Sequence, residues 1–251
     1  METPEPNVTE TPESKTSDVN SSTIYDILKM HQMWLNGEPG GKRADLEGAN
    51  LRSADLRYAN LSNAVLSNAN LSEVNLREAN LQYADLEGAI LRDADLRKAN
   101  LQWAILRNAI LGGANLREAA LQRANLRGAS LRWAILIGAD MHGADLRWAD
   151  LRRADLREAN LKSANLRGST VVGANLDYTG LSLWCGTFDI RADRGIAAQL
   201  AYHFCQFDFG HDKTCLQAQN ALKDLANEFC RIGERGVPPI TERELEWDEK
   251  Q

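Results

Sequence analysis

From Ala44 to Leu181 the chain repeats a single pattern: a small apolar residue, a polar one, a large apolar one and two more that are mostly polar. It reads Ala-(Asp/Asn)-Leu-x-x, without an insertion or a deletion. Large residues stand at every fifth position from Leu46 to Leu181, 28 in all, and only Met141 and Val171 among them are not Leu. Two positions earlier the residue is Ala, except at Val74, Ser169 and Thr179. A period of five matches neither the helical turn of about 3.6 residues nor the simple alternation of a long strand. It suits a chain that turns a corner once per unit and closes a coil after four units, one tiny and one large side chain pointing inward each time. Leu46, Leu66, Leu86, Leu106, Leu126, Leu146 and Leu166 then form one column of the core, and Ala leaves room for Leu across a narrow section. Asp or Asn between them can bond the backbone two residues on, which favours a turn. Residues 20 apart stack, so Asn60, Asn80 and Asn100 are expected to form an outward ladder.

The pattern changes on both sides of the repeat. Residues 1–22 carry almost no large apolar groups and read as a disordered tail. In 23–43 the spacing of Ile24, Ile27, Leu28, His31, Trp34 and Leu35 predicts an amphipathic helix, started by a Thr23/Asp26 capping box and stopped by Gly37 and Pro39. Its place just before the first unit makes it a cap that shields an otherwise open coil. Beyond the repeat at 44–181, two helical stretches are predicted in 182–240, around Ile196 to Phe204 and Leu222 to Ile232, as a second cap. An acidic tail follows at 241–251.

The unit, carried through all 28 copies, resembles the pentapeptide-repeat family. The order of features also resembles bacterial and phage members: the His31/Trp34/Leu35 helix, the repeat, the Trp184-Cys185-Gly186 region and the Tyr202-His203 helix. The resemblance implies an all-β solenoid, a right-handed quadrilateral β-helix of about seven 20-residue coils. It also implies a role in binding rather than in catalysis.

Charge and apolar outward positions then decide where binding could sit. Residues 1–43 carry a net −3, 44–181 a net +1 and 182–251 a net −4. Within the repeat, 44–100 sum to −3 and 101–170 to +5, so the far half is basic. Arg57, Arg77, Arg97, Arg117 and Arg157 line one side, Arg52, Arg92, Arg132 and Arg152 a second, and Arg107, Arg127, Arg147 and Arg167 form a candidate basic face. Glu78, Glu118 and Glu158 follow their Arg neighbours and are expected to offset them. Ile90, Ile105, Ile110, Ile135 and Ile137 replace polar groups near the middle, with Trp103, Trp133 and Trp148 close in sequence, and make a candidate belt, either an interface for a protein or a surface covered by the chain's own terminal segments.

Site chemistry is sparse. His203, Cys205, His211 and Cys215 fall within 13 residues, but only His211 and Cys215 have a zinc-like spacing, so ordinary buried residues are the expected reading and no metal or other cofactor is assigned. No nucleophile elbow, phosphate loop or dinucleotide fingerprint occurs, and the carboxylates follow the repeat rather than a reacting atom. Residues 1–15 lack an export signal and no segment is apolar enough for a membrane helix, which makes the cytoplasm the expected compartment and excludes a membrane partner. The leading expectation is a non-catalytic interaction rod whose partner is another protein. Some members of the family resemble duplex DNA and act on type II topoisomerases by gyrase inhibition or quinolone protection; the +1 repeat with its Arg rows departs from that pattern. Nucleic-acid binding by the basic half and a homodimer through the terminal helices are further alternatives.

Overall fold

The chain is described as a computed structural model over residues 21–177 and 179–181. Residues 1–20, the predicted helices of 182–240, the 241–251 tail and His203, Cys205, His211 and Cys215 lie outside the described residues. The described elements run α1 (Ser21–Leu35), β1 (Asn160–Leu161) and β2 (Gly180–Leu181), with β1 and β2 parallel and Asn160 opposite Gly180.

Between α1 and β2 the chain is a β-helix written in single bridges. Asp45 pairs with Val65, Asn50 with Asn70, Asp55 with Asn75 and Asn60 with Asn80, and the same parallel register of 20 continues to Asp155 with Asn175. Long strands cannot form, because each straight segment is only the Ala-Asx-Leu part of one unit before the next corner. The bonds of one unit show why the motif is needed. Leu46 N donates to Val65 O in the next coil, Gly48 N to Ser67 O, and Val65 N back to Ala44 O, while Ala49 N closes the turn on Leu46 O. One amide per unit, that of the residue after Leu, has no such backbone acceptor. The Asx side chain supplies it: Glu47 N donates to Asp45 Oδ1 at 3.3 Å, and each Asp or Asn from Asp45 to Asn175 does the same two residues on. That satisfies a donor which would otherwise cost free energy beside the packed interior.

The second turn residue takes φ near +60° in every unit from Gly48 to Gly173, the signature of a type II turn. Gly occupies some of these positions, but Tyr58, Lys98, Trp103, Trp133 and Trp148 hold the same conformation. Side chains at these corners lean towards the residue 20 further on. A Cβ added at Gly168 would meet the Trp148 ring at 2.4 Å.

The interior is a continuous stack of Ala and Leu. Leu46, Leu66, Leu86, Leu106, Leu126, Leu146 and Leu166 are 0–2% exposed. Val74, at an Ala position, is fully buried, and the turn bonds Val74 N to Leu71 O and, one coil on, Ala94 N to Leu91 O are both 3.3 Å, longer than the 3.0 Å at Ala64 and Ala84. Ser169, another departure from Ala, buries an Oγ without a hydrogen-bond partner among the described residues.

Helix α1 sits against the first coil through Ile24, Ile27 and Leu28. It begins at Ser21, so Thr23 lies inside the helix rather than at its N-cap, and the Thr23/Asp26 capping box is corrected accordingly. At the other end Gly37 has φ +70°, its N–H bonds Trp34 O and Glu38 N–H bonds Met33 O, a Schellman motif that satisfies two of the last carbonyls. The chain then passes so close that a Cβ on Gly41 would lie 2.3 Å from Trp34 N.

Candidate interaction surface

The 20-residue register sorts the outward residues. Bridging residues lie on four faces, which begin at Asp45, Asn50, Asp55 and Asn60 and are called faces 1 to 4; the two turn residues form the corners between them. The Arg rows expected on faces stand at corners, because they occupy the first turn position. Arg107, Arg127, Arg147 and Arg167 share the corner between faces 1 and 2, Arg52, Arg92, Arg132 and Arg152 that between faces 2 and 3, and Arg57, Arg77, Arg97, Arg117 and Arg157 that between faces 3 and 4.

Their compensation follows a rule that differs from the expected one. Wherever the unit reads Asp-Leu-Arg, the Arg turns back on its own Asp: Arg57 to Asp55 at 2.7 Å, Arg97 to Asp95 at 2.5 Å, Arg147 to Asp145 and Arg152 to Asp150 at 2.6 Å, and Arg157 to Asp155 at 2.7 Å. Of the three Glu expected to offset a preceding Arg, only Glu78 does so, at 3.3 Å from Arg77; Glu118 pairs with Lys98 at 3.6 Å, and Arg157 prefers Asp155. The reason is geometric: the bridging Asp faces outward beside the first turn position, whereas the second turn residue leans along the rod. Hydrogen bonds from Arg97, Arg147 and Arg152 hold the carboxyls of Asp95, Asp145 and Asp150 below their ordinary range, against partial burial. At Asp155 burial pushes the value up and Arg157 more than reverses it.

Aromatic residues use the second turn position and are covered by neighbours one coil away. The rings of Tyr83 and Trp103 stack at 6.3 Å, and the Arg123 guanidinium lies 4.7 Å from the Trp103 ring centre. Arg153 covers Trp133 at 4.6 Å and Arg127 covers Trp148 at 4.3 Å. Each ring still exposes about half its surface, 43–55% across the three Trp. Arg and Trp in such contact are the residue types that carry most binding energy at protein interfaces.

The candidate belt does not form one patch. Trp103 stands between faces 4 and 1 beside Ile105 on face 1; Ile90 and Ile110 are bridged to each other on face 2; Trp148 lies between faces 1 and 2. Trp133, Ile135 and Ile137 follow one another across face 3 and its two corners. The belt thus winds round the rod, with Tyr83/Trp103/Ile105 at one side, Ile90 and Ile110 on face 2 and Trp133/Ile135/Ile137 across face 3. On face 4, Asn80 Nδ2 reaches Asn60 Oδ1 at 3.2 Å, and the column continues through Asn100 to Ala120.

Sequence reasoning missed His31 as a connector. Its ring is fully buried and stacked on Trp34 at 5.6 Å, Nδ1 accepts from Ala44 N–H at 3.0 Å, and Nε2 lies 3.0 Å from Ser62 O. An Nδ1 that accepts leaves Nε2 to carry the proton and donate, so the ring is neutral. Burial, with the nearby Arg43 charge, pushes its pKa below the ordinary value, although the bond to Ser62 favours the proton. The partners are backbone groups 13 and 31 residues away, which no local pattern announces.

Among the described residues, no cluster of three or more His, Cys, Asp or Glu is arranged to hold a metal ion, and no helix is long and apolar enough to cross a membrane. A shallow cavity of about 410 Å³ lies between α1 and face 4, lined by Tyr25, Lys29, Gln32 and Asn60 among others.

The repeating coil and its outward corners define a pentapeptide-repeat solenoid. The family model for pentapeptide repeats matches residues 44–82, 70–113, 114–153 and 154–182, more than half of the chain, and the chain belongs to that family. No curated protein matches it. Among solved structures it is similar to a trypsin-treated variant of QnrB1, a plasmid-mediated fluoroquinolone resistance protein, at 20% identity over 63% of this chain and 87% of that one, with a TM-score of 0.35. It is similar to HetL, a pentapeptide repeat protein involved in heterocyst differentiation regulation from Nostoc sp. strain PCC 7120, at 30% identity over 64% and 94%, with a TM-score of 0.25. A pentapeptide repeat protein of the Arabidopsis thaliana thylakoid lumen shares 31% identity over 45% and 72%, with a TM-score of 0.25. Superpositions this partial carry no functional weight.

Proposed function

We propose that the chain is a non-catalytic interaction rod, about seven right-handed coils long, that presents its corners to another protein in the cytoplasm. The observation that carries this reading is the division of the unit: Ala and Leu are consumed by a filled interior and the bridging Asx by the coil's own amides, which leaves the two corner residues and the bridging sites that are not Asx, such as Ile105 and Ile135, to vary outward. A filled rod offers no deep cleft for a reacting substrate, whereas half-exposed Trp103, Trp133 and Trp148 beside Arg give it interface-type anchors. Charge speaks against duplex mimicry, since the repeat sums to +1.

The test is affinity capture from host lysate by wild type and by two variants that separate the aromatic groups, Trp103→Ala/Ile105→Ser and Trp133→Ala/Ile135→Ser. One protein recovered by wild type and lost with at least one variant supports the reading. Recovery unaffected by both variants removes these corners as the interface. A parallel supercoiling assay is expected to show no effect on gyrase at stoichiometric excess, and inhibition there would favour the mimic instead.

A further inference from the structure

The register concentrates the positive charge of the far half on one side of the rod. Residues 101–170 contain 11 cations. Arg107, Arg127, Arg147 and Arg167 rise along the corner between faces 1 and 2, one per coil. Arg132, Arg152 and Arg153 stand on the corner between faces 2 and 3, level with them. Face 2 between these rows carries Ile110, Ser130, Asp150 and Thr170, and Asp150 is already held by Arg152 at 2.6 Å. The opposite side has only Arg117, Arg123, Arg157 and Lys162, interleaved with Glu118, Asp140 and Glu158. Above the strip the same two corners turn acidic or mixed, with Glu47, Glu87, Glu73 and Asp93.

We infer that face 2 and its two Arg corners form a docking strip for a short acidic segment of a protein partner. The inference rests on the interaction reading above and specifies its site and chemistry. Length decides for a short segment: four coils at about 4.8 Å span about 15 Å between the first and last Arg, the reach of some ten helical residues or five extended ones. A long polyanion would run on into Glu87 and Glu47 and be repelled. Composition points the same way. All seven cations are Arg, whose planar fork matches a carboxylate bidentately; Arg107, Arg147 and Arg152 already hold Glu87, Asp145 and Asp150, which leaves Arg127, Arg132, Arg153 and Arg167 as the main donors, and two half-exposed Trp, Trp133 and Trp148, flank the face. The net −6 of the whole chain also disfavours a nucleic acid, which is drawn by long-range positive potential.

The experiment measures anisotropy of three labelled probes on the full chain, in about 50 mM and about 300 mM NaCl. The probes are a helical peptide with Glu on one face, its Gln counterpart, and a DNA duplex of equal length. The Glu peptide is expected to bind, to weaken about tenfold or more in high salt, and to exceed both other probes. Arg132→Glu/Arg167→Glu should weaken it about tenfold, and Arg57→Glu/Arg77→Glu, an equal charge change on another corner, less than about twofold; circular dichroism confirms that both variants are folded. No Glu-peptide binding at low salt, equal losses in the two variants, or tighter binding of the duplex overturns the strip. Capture from lysate that survives Arg132→Glu/Arg167→Glu also overturns it and leaves the interaction reading standing. Glu-peptide binding by a chain that captures nothing supports the strip while counting against the broader reading.

Discussion

The inward and outward halves of each unit obey different rules. Inward, Leu and Ala recur almost without exception and are nearly all at 0–2% exposure; outward, one turn position accepts Gly, Asn, Glu, Lys, Arg, Tyr and Trp. From Gly48 to Gly173 all of the residues at that turn position are held at positive φ, where an ordinary side chain costs about 1–2 kcal/mol. The coil outweighs that cost because the same residue's amide bonds the next coil, as Trp103 N does to Gln122 O at 3.0 Å. Conformation at the corner is therefore set by the neighbouring coils, not by the residue placed there. The interior specifies the rod, and the corners are left to specify what it meets.

The largest predicted break in that division is inside. Leu106→Asp would bury an unpaired charge in a column with no room for water, at a cost of more than about 4 kcal/mol, and denaturant unfolding should show a rod split at that coil rather than a shifted midpoint. His31→Ala comes next. It orphans Ala44 N–H and Ser62 C=O, about 2–4 kcal/mol together, but the loss stays at the end: hydrogen exchange should speed at Ala44 and leave Asp145 unchanged.

The same histidine gives the end a pH dependence that the middle lacks. Its folded pKa is lowered, so the unfolded chain takes up a proton first as pH falls below the ordinary value of 6.5. Stability of the first coil is then fully present above pH 6.5 and lost as pH falls towards the lower folded value. Exchange at Ala44 measured from about pH 7 to about pH 5, corrected for intrinsic rates, should show the loss in wild type and not in His31→Ala.

Two smaller effects sharpen the comparison. Ser169→Ala restores the repeat residue and removes a buried hydroxyl that has no partner among the described residues, so thermal unfolding should report a gain of about 1 kcal/mol. Asp150→Asn, on the outside, should cost under about 1 kcal/mol at neutral pH. Because Arg152 lowers the Asp150 pKa, that pair contributes above the ordinary 3.8 and is lost as pH falls through the folded value; the variant's acid unfolding limb should be flatter below about pH 4.

The fold was legible because an uninterrupted period leaves little choice: once Ala44 and Leu46 point inward, every later unit repeats the decision. The side-chain bond from each Asx to the amide two residues on was legible for the same reason. The ion pairs were legible in kind but misassigned, since Asp-Leu-Arg brings Arg57 to Asp55 within one corner, whereas Glu118 leans along the rod to Lys98. The division of the Trp103 and Trp133 groups follows from the 20-residue register and could have been read by counting. His31 could not, because its partners are main-chain atoms that only the docked helix brings near.

The central claim is that partner recognition depends on the corners. It is tested most directly by a rod in which the corner residues of 101–170 are exchanged for Asn and Gly, with every inward and bridging residue retained. The prediction is unchanged β-type circular dichroism and a thermal midpoint within a few degrees of wild type, together with complete loss of the captured partner. A folded corner-exchanged rod that still captures that partner would contradict the claim.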